Sequence, residues 1–278
     1  MVLRQQQPTY LWFQHADQST DIYVDDIKVE THWGGYNAFF SDISQYVHRG
    51  TNHIKVALCN TTRSALAPAA GDFNFNATLG NVKLFTSPVL PDKKYGYDGF
   101  HITSTVTASS ATINVKTTIP SGARVVCTIS DSNYMWSDTK TSNGLEQTFT
   151  TTISGNNLRL WNGVDDPHLY TVMLEIYKDD QLYHRYQRPY GFRYYEYVVG
   201  QTVGGQTYTG FLLNGQPYAL RGVCMHDDLV NKANALNDAD YDQEFAIIQE
   251  LGCNFIRLAH YPHPKEVYDR CDQLGIIV

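Results

Sequence analysis

Two short stretches of this 278-residue sequence hold side chains that could orient a carboxylate or handle a proton: His226-Asp227-Asp228, and Arg257 with His260. Arginine carries a planar fork of donors that matches a carboxylate. Histidine changes charge near neutrality. Taken singly, Arg257 reads as one half of a structural ion pair and His260 as a satisfied loop histidine. His226, Asp227 and Asp228 read either as organisers of a polar loop or as contacts to a substrate. Glu244, Glu250 and Glu266 fall within helical patterns, where a solvated outer face is expected.

The elements that must position these residues follow from hydrophobic periodicity. Tyr218 to Val223 is a strand candidate, and His226 to Asp228 come just after it. Asp240 to Leu251 has helical spacing, with Asp238 placed to cap its start and Gly252 to end it. Asn254 to Leu258 is a second strand that carries Arg257 and leads into His260. Pro264 to Leu274 is a second helix, with Pro264 in its first turn and Gly275 past its end. Ile276-Ile277-Val278 reads as a third strand. Alternation of strand and helix opens a parallel α/β domain. Its unpaired edges predict that the domain is incomplete over residues 200–278 and prone to associate.

Upstream the periodicity is that of strands. Up to about Leu90 it predicts part of a jelly-roll-like sandwich: Ile22-Tyr23-Val24 and Ile27-Lys28-Val29 flank a tight turn at Asp25-Asp26. Ile54, Val56 and Leu58 alternate with other residues. Few strands precede Ile22, so this unit, residues 1–90, is expected to lack N-terminal strands. Pro88 and Pro91 mark a boundary. Residues 91–199 then predict an immunoglobulin-like β-sandwich of about seven strands, among them Ile102 to Val106, Ala111 to Val115 and Tyr170 to Ile176.

Composition narrows the function classes. A net charge of -7 argues against a nucleic-acid footprint, and no apolar run reaches membrane-spanning length. No signal peptide is visible after Met1, which leaves localisation open. The chain has 20 Tyr and 4 Trp, and Trp12, Trp33, Trp136 and Trp161 are each expected in a core rather than as sugar platforms. Cys59, Cys127, Cys224, Cys253 and Cys271 lack zinc spacing and read as reduced, buried thiols. Asn60-Thr61-Thr62 and Asn76-Ala77-Thr78 match the short glycosylation pattern.

The stretch Asn254-Phe255-Ile256-Arg257-Leu258-Ala259-His260-Tyr261-Pro262 resembles the second-strand signature of glycoside hydrolase family 2, and Tyr268 to Val278 continues it in register. Leu213-Asn214-Gly215-Gln216-Pro217, Leu220-Arg221-Gly222-Val223 and His226-Asp227-Asp228 resemble the family's first barrel strand. Leu160-Trp161-Asn162-Gly163, Pro167 to Tyr170 and Gly191-Phe192-Arg193 resemble its central sandwich, and Asp21 to Val24 with Gly34-Gly35-Tyr36 its sugar-binding domain. A departure lies in Asp72 to Phe85, where Ala77 to Asn81 replaces a Gly-Gly-Ile-Tyr-Arg-type run.

The resemblance implies a mainly β chain that ends in the first strands and helices of a TIM (β/α)8 barrel. It implies retaining hydrolysis of a terminal β-linked sugar, with β-galactosides expected and β-glucuronides or β-mannosides as alternatives. Two carboxyl groups about 5 Å apart perform that reaction, and the resemblance places both beyond Val278. This chain is therefore expected to be inactive alone. Arg257 would hold the nucleophilic carboxylate ionised and oriented, and His260 would donate to sugar hydroxyls or to developing charge. His226 and Asp227 would support the site. Tyr261-Pro262 would fix the turn after the strand, at a bond where a cis peptide is worth seeking. A carbohydrate substrate is the implied partner, with no nucleic acid and no membrane. Magnesium or sodium binding and homo-oligomerisation are open for the parent protein, and no ligand set is visible here. The rival expectation is a non-catalytic carbohydrate-binding or scaffold module.

Overall fold

The computed structural model describes residues 8–16, 18–59, 78–86 and 99–278. The expected boundary at Pro88 and Pro91 lies outside these residues, as do Asn60 and Asn76 of the two glycosylation patterns.

The first six strands are β1 (Thr9–Phe13), β2 (Ser19–Val24), β3 (Ile27–Trp33), β4 (Phe39–Asp42), β5 (Ile54–Cys59) and β6 (Val82–Thr86). They form two antiparallel sheets, ordered β4-β1-β6 and β3-β2-β5. Asp25 and Asp26 both adopt positive φ, the backbone that lets a two-residue turn follow the twist of the hairpin. Strand β1 has no counterpart in the periodicity, because nearly every residue of Thr9–Phe13 is buried and no alternation remains to be read. Leu11, Phe13, Ile22, Val24 and Ile43 close the space between the sheets.

Seven strands follow: β7 (Phe100–Val106), β8 (Ser110–Thr118), β9 (Arg124–Ser130), β10 (Met135–Thr141), β11 (Glu146–Ser154), β12 (Tyr170–Lys178) and β13 (Gln181–Tyr190). They pair as β10-β9-β12-β13 and β11-β8-β7, the immunoglobulin-like sandwich that the alternation predicts. In β8 every second residue is buried, so Ala111, Ile113 and Val115 meet Val125, Val172 and Leu174 across the core. Each such branched side chain contributes roughly 1.5–3 kcal/mol by leaving water.

Strands do not stop near Gly200. A hairpin of β14 (Tyr195–Val203) and β15 (Gln206–Leu213) runs through that position, extended by β16 (Gln216–Pro217). Then come β17 (Gly222–Met225), α1 (Asp238–Glu250), β18 (Phe255–Leu258) and α2 (Lys265–Leu274). Tyr218 to Arg221 is not a strand. The Asn254 side chain accepts from the Arg221 N–H and donates to the Ala219 carbonyl, holding that segment in place of a sheet partner. The N-cap of α1 is Asn237 rather than Asp238, in a reciprocal capping box with Asp240. Pro264 sits at the N-cap of α2, and of the expected third strand only a bridge between Ile277 and Phe255 forms.

Strands β17 and β18 pair in parallel, with Gly222 beside Phe255 and Cys224 beside Arg257. A Cβ on Gly222 would lie 1.9 Å from the Phe255 carbonyl oxygen, so this register requires glycine. The far end of α2 docks on the sandwich. Trp161, fully buried, donates its Nε1–H to the Asp272 carbonyl at 2.8 Å, and the Arg193 guanidinium covers its ring. Arg193 also pairs with the Asp272 carboxylate at 2.8 Å. Gly275 ends α2 in the left-handed region, against the Gly163 backbone.

Trp12 is buried and Trp136 packs against the sandwich core, but Trp33 is exposed, against expectation. The five cysteines form no disulfide; Cys127 and Cys271 are buried, whereas Cys59 and Cys224 are exposed, at outward-facing positions of β5 and β17.

Candidate active-site face

Because β17 and β18 run in the same direction, the segments leaving their C-terminal ends emerge side by side. That register brings His226 to Asp228 next to Ala259 to Tyr261. Arg257 Nη2 lies 3.0 Å from His260 Nδ1. Arginine only donates, so Nδ1 is the acceptor and the ring proton is carried on Nε2. A second guanidinium nitrogen donates to Cys224 Sγ at 3.9 Å. The His226 ring stands edge-on to that of His260, with centroids 5.6 Å apart. Arg257, His260 and His226 are all exposed at the strand ends.

Asp227 behaves differently. It is 3% exposed, and its Oδ1 accepts from the Tyr241 hydroxyl at 2.8 Å. Its backbone N–H donates to the Tyr261 hydroxyl at 3.3 Å. Tyr261 in turn stacks on Tyr36, from the loop after β3, at 4.2 Å. Burial raises both phenols, Tyr241 and Tyr261, above the ordinary tyrosine range, with the Asp227 charge adding to the effect on each. The structure thus groups Arg257, His260 and His226, and turns Asp227 inward to anchor the loop that carries His226. Asp228 is exposed. The tyrosine chain from α1 to the first sandwich has no signature in spacing, since its members come from three distant segments.

The peptide bond between Ala259 and His260 is cis, and that between Tyr261 and Pro262 is not. Among the helical acids, Glu250 is solvated as expected. Glu244 and Glu266 are only partly so. Glu266 is half-buried and accepts from the Gln14 side chain at 3.2 Å, which ties α2 to the first sandwich. Glu244 is half-buried, its Oε2 has no hydrogen-bond partner among the described residues, and burial raises its pKa to about 7, helped by Asp227, Asp228 and Asp240. Thr78, in the stretch that departs from the family pattern, donates to Asn234 in the loop after β17. Among the described residues no group of three or more His, Cys, Asp or Glu is arranged to hold a metal ion. No helix is long and apolar enough to cross a membrane.

Residues 98–193 match the model described as glycosyl hydrolases family 2, and residues 207–278 match that of glycosyl hydrolases family 2, TIM barrel domain. The chain belongs to glycoside hydrolase family 2. Its similarity to other members runs nearly end to end. A beta-glucuronidase of Bacteroides fragilis is 27% identical over 96% of this chain and 39% of its own length. A beta-galactosidase of Bacteroides ovatus is 26% identical over 96% of this chain and 31% of its own. The crystal structure of an FMN-binding beta-glucuronidase from Facaelibacterium prausnitzii L2-6 superposes with a TM-score of 0.86 at 29% identity, over 98% of this chain and 42% of that one. The chain therefore spans well under half the length of these family 2 relatives.

Proposed function

We propose that this chain is part of a retaining exo-glycosidase acting on terminal β-linked sugars, and that it supplies the face on which Arg257, His260 and His226 support the reaction. The observation that carries the reading is the 3.0 Å contact between Arg257 and His260 at the C-terminal ends of paired parallel strands. In a (β/α)8 enzyme that end bears the chemistry. Two carboxyl groups about 5 Å apart are needed for retention, one as acid/base and one as nucleophile.

Asp227 does not serve that role, since it is buried and committed to Tyr241. In this reading both catalytic groups come from further barrel strands. Arg257 keeps donors beyond those bound by His260 and Cys224, and these hold the nucleophile ionised and aimed. The Nε2–H of His260 donates to a sugar hydroxyl or to charge that develops on it, which strengthens as the transition state forms. Asp227 positions His226 through the loop backbone.

The finer reading is a β-galactoside substrate; the relatives include both β-galactosidases and β-glucuronidases. The test is a full-length protein assayed on aryl β-galactosides, β-glucuronides and β-mannosides, alongside the 278-residue chain. Turnover by the full-length protein with none by the chain is expected, fastest on the galactoside. A full-length protein silent on the whole panel overturns the enzymatic reading in favour of a binding module, and faster β-glucuronide turnover overturns the galactoside alone.

A further inference from the structure

An opening lies where the three parts of the chain meet. It has a volume of about 450 Å³, within the size range of small-molecule sites. Trp12, Tyr36 and Asn37 of the first sandwich form one wall, Arg188 and Tyr190 of β13 a second, and His263 with residues of α2 through Asp272 the third. Arg257, His260 and His226 take no part in lining it.

The charges in its walls are largely mutually satisfied. Lys265 pairs with Asp269, Asp272 with Arg193, Glu266 accepts from Gln14, and the Arg188 guanidinium rests 4.6 Å from the Phe100 ring centroid. An ionic ligand would have to break such pairs, and a wholly apolar one would strip water from carboxylates without replacing it. His263 adds no charge at neutral pH, since burial lowers its pKa to about 4. The ring is 4% exposed and lies beside the Ala259 backbone, and neither nitrogen makes a well-aligned hydrogen bond to the described residues. A neutral imidazole offers one donor and one acceptor. A hydroxyl group answers both, directly or through one water.

An exposed tyrosine, Tyr268, beside paired carboxylates and a buried neutral imidazole suits a ligand that is neutral, rich in hydroxyls and apolar on its ring faces. We propose that this three-way junction binds a neutral mono- or disaccharide. The site goes beyond the glycosidase reading, and its test needs no turnover.

The test is an NMR titration of the 278-residue chain with galactose, lactose and cellobiose, with glucuronate as the charged control. Saturable shifts of Asn37 and Tyr268 are expected, with neutral sugars binding in the range of about 1 mM. Tyr268→Ser and Asn37→Ala, both at exposed positions, should each weaken binding by about fivefold or more. The proposal is overturned if no saturable shift appears, if the shifts centre on His226 and Arg257, or if glucuronate binds as tightly as lactose. Hydrolysis by the full-length protein is read in a separate assay, so the two readings fail separately.

Discussion

At its C-terminal end α2 meets the immunoglobulin-like sandwich through Trp161, Arg193 and Asp272, whereas the end of β18, a few residues upstream, presents Arg257 and His260 at the surface. In the first region the polar atoms named are matched to partners. The Trp161 Nε1–H has a carbonyl, its main-chain carbonyl accepts from Asn214, and the Asp272 carboxylate has Arg193. In the second, a guanidinium and two imidazoles lie exposed, and Arg257 carries donors beyond those bound by His260 and Cys224. One short stretch, 254–278, thus serves stability at one end and recognition at the other. A packing site satisfies its own hydrogen bonds; a reactive face keeps some unsatisfied until a ligand arrives.

If that division holds, substitutions at the two ends must separate stability from activity. Trp161→Ala is expected to have the largest effect on stability, about 3–5 kcal/mol, because a fully buried indole and its hydrogen bond are lost together. Urea denaturation followed by tryptophan fluorescence and circular dichroism measures it, and a loss below about 1 kcal/mol would break the comparison on the packing side.

Arg257→Ala should do the reverse. In the full-length protein we expect kcat/KM to fall roughly 10²–10³-fold, with an unchanged melting midpoint. Arg257→Lys should recover little of the loss, since a point charge cannot reproduce the fork. Activity within threefold of the parent, on the order of 0.7 kcal/mol, removes Arg257 from the proposed mechanism.

Asn237→Ala sharpens the boundary between the two kinds of site. Asn237 caps α1 by accepting from the N–H groups of Ala239 and Asp240. Its loss should cost about 1 kcal/mol in thermal or chemical denaturation, and the 3.0 Å Arg257–His260 contact should survive.

The smallest expected effect concerns Glu244, whose pKa rises to about 7 from an ordinary value of 4.5. A carboxyl with a raised folded pKa favours the fold while protonated, and that contribution fades as pH climbs from about 4.5 through about 7. Glu244→Gln should therefore stabilise the chain above pH 7 by no more than about 1 kcal/mol, after allowance for its partial exposure. Below the ordinary carboxyl value the gain should vanish. Melting curves across this range check it, and a pH-independent difference contradicts the assigned burial.

Much of the site's frame was legible in the residues. Phe245, Ile248 and Leu251 announce α1, and Pro264 with Gly275 bracket α2, because capping and helical spacing are local properties. The alternation in Ser110–Thr118 announces a half-buried strand for the same reason. Strand β1 was invisible to that reasoning, since burial on both faces leaves only an apolar run. Tyr218 to Arg221 misled it, because the competing partner was a side chain, Asn254, more than thirty residues away.

The sequence by itself determined the family, through the nine residues from Asn254 to Pro262, and it determined which elements carry Arg257 and His260. Only the tertiary structure decided how Asp227 differs from His226. The two are neighbours in the chain, yet a turn of backbone sends one inward to Tyr241 and leaves the other beside His260. It also decided that Glu244 and Glu266 are half-buried and that a cavity opens at the three-way junction. Periodicity reports which face of one element is apolar. It carries no record of which distant element comes to cover that face, and burial, pKa and hydrogen-bond partnership all depend on that covering.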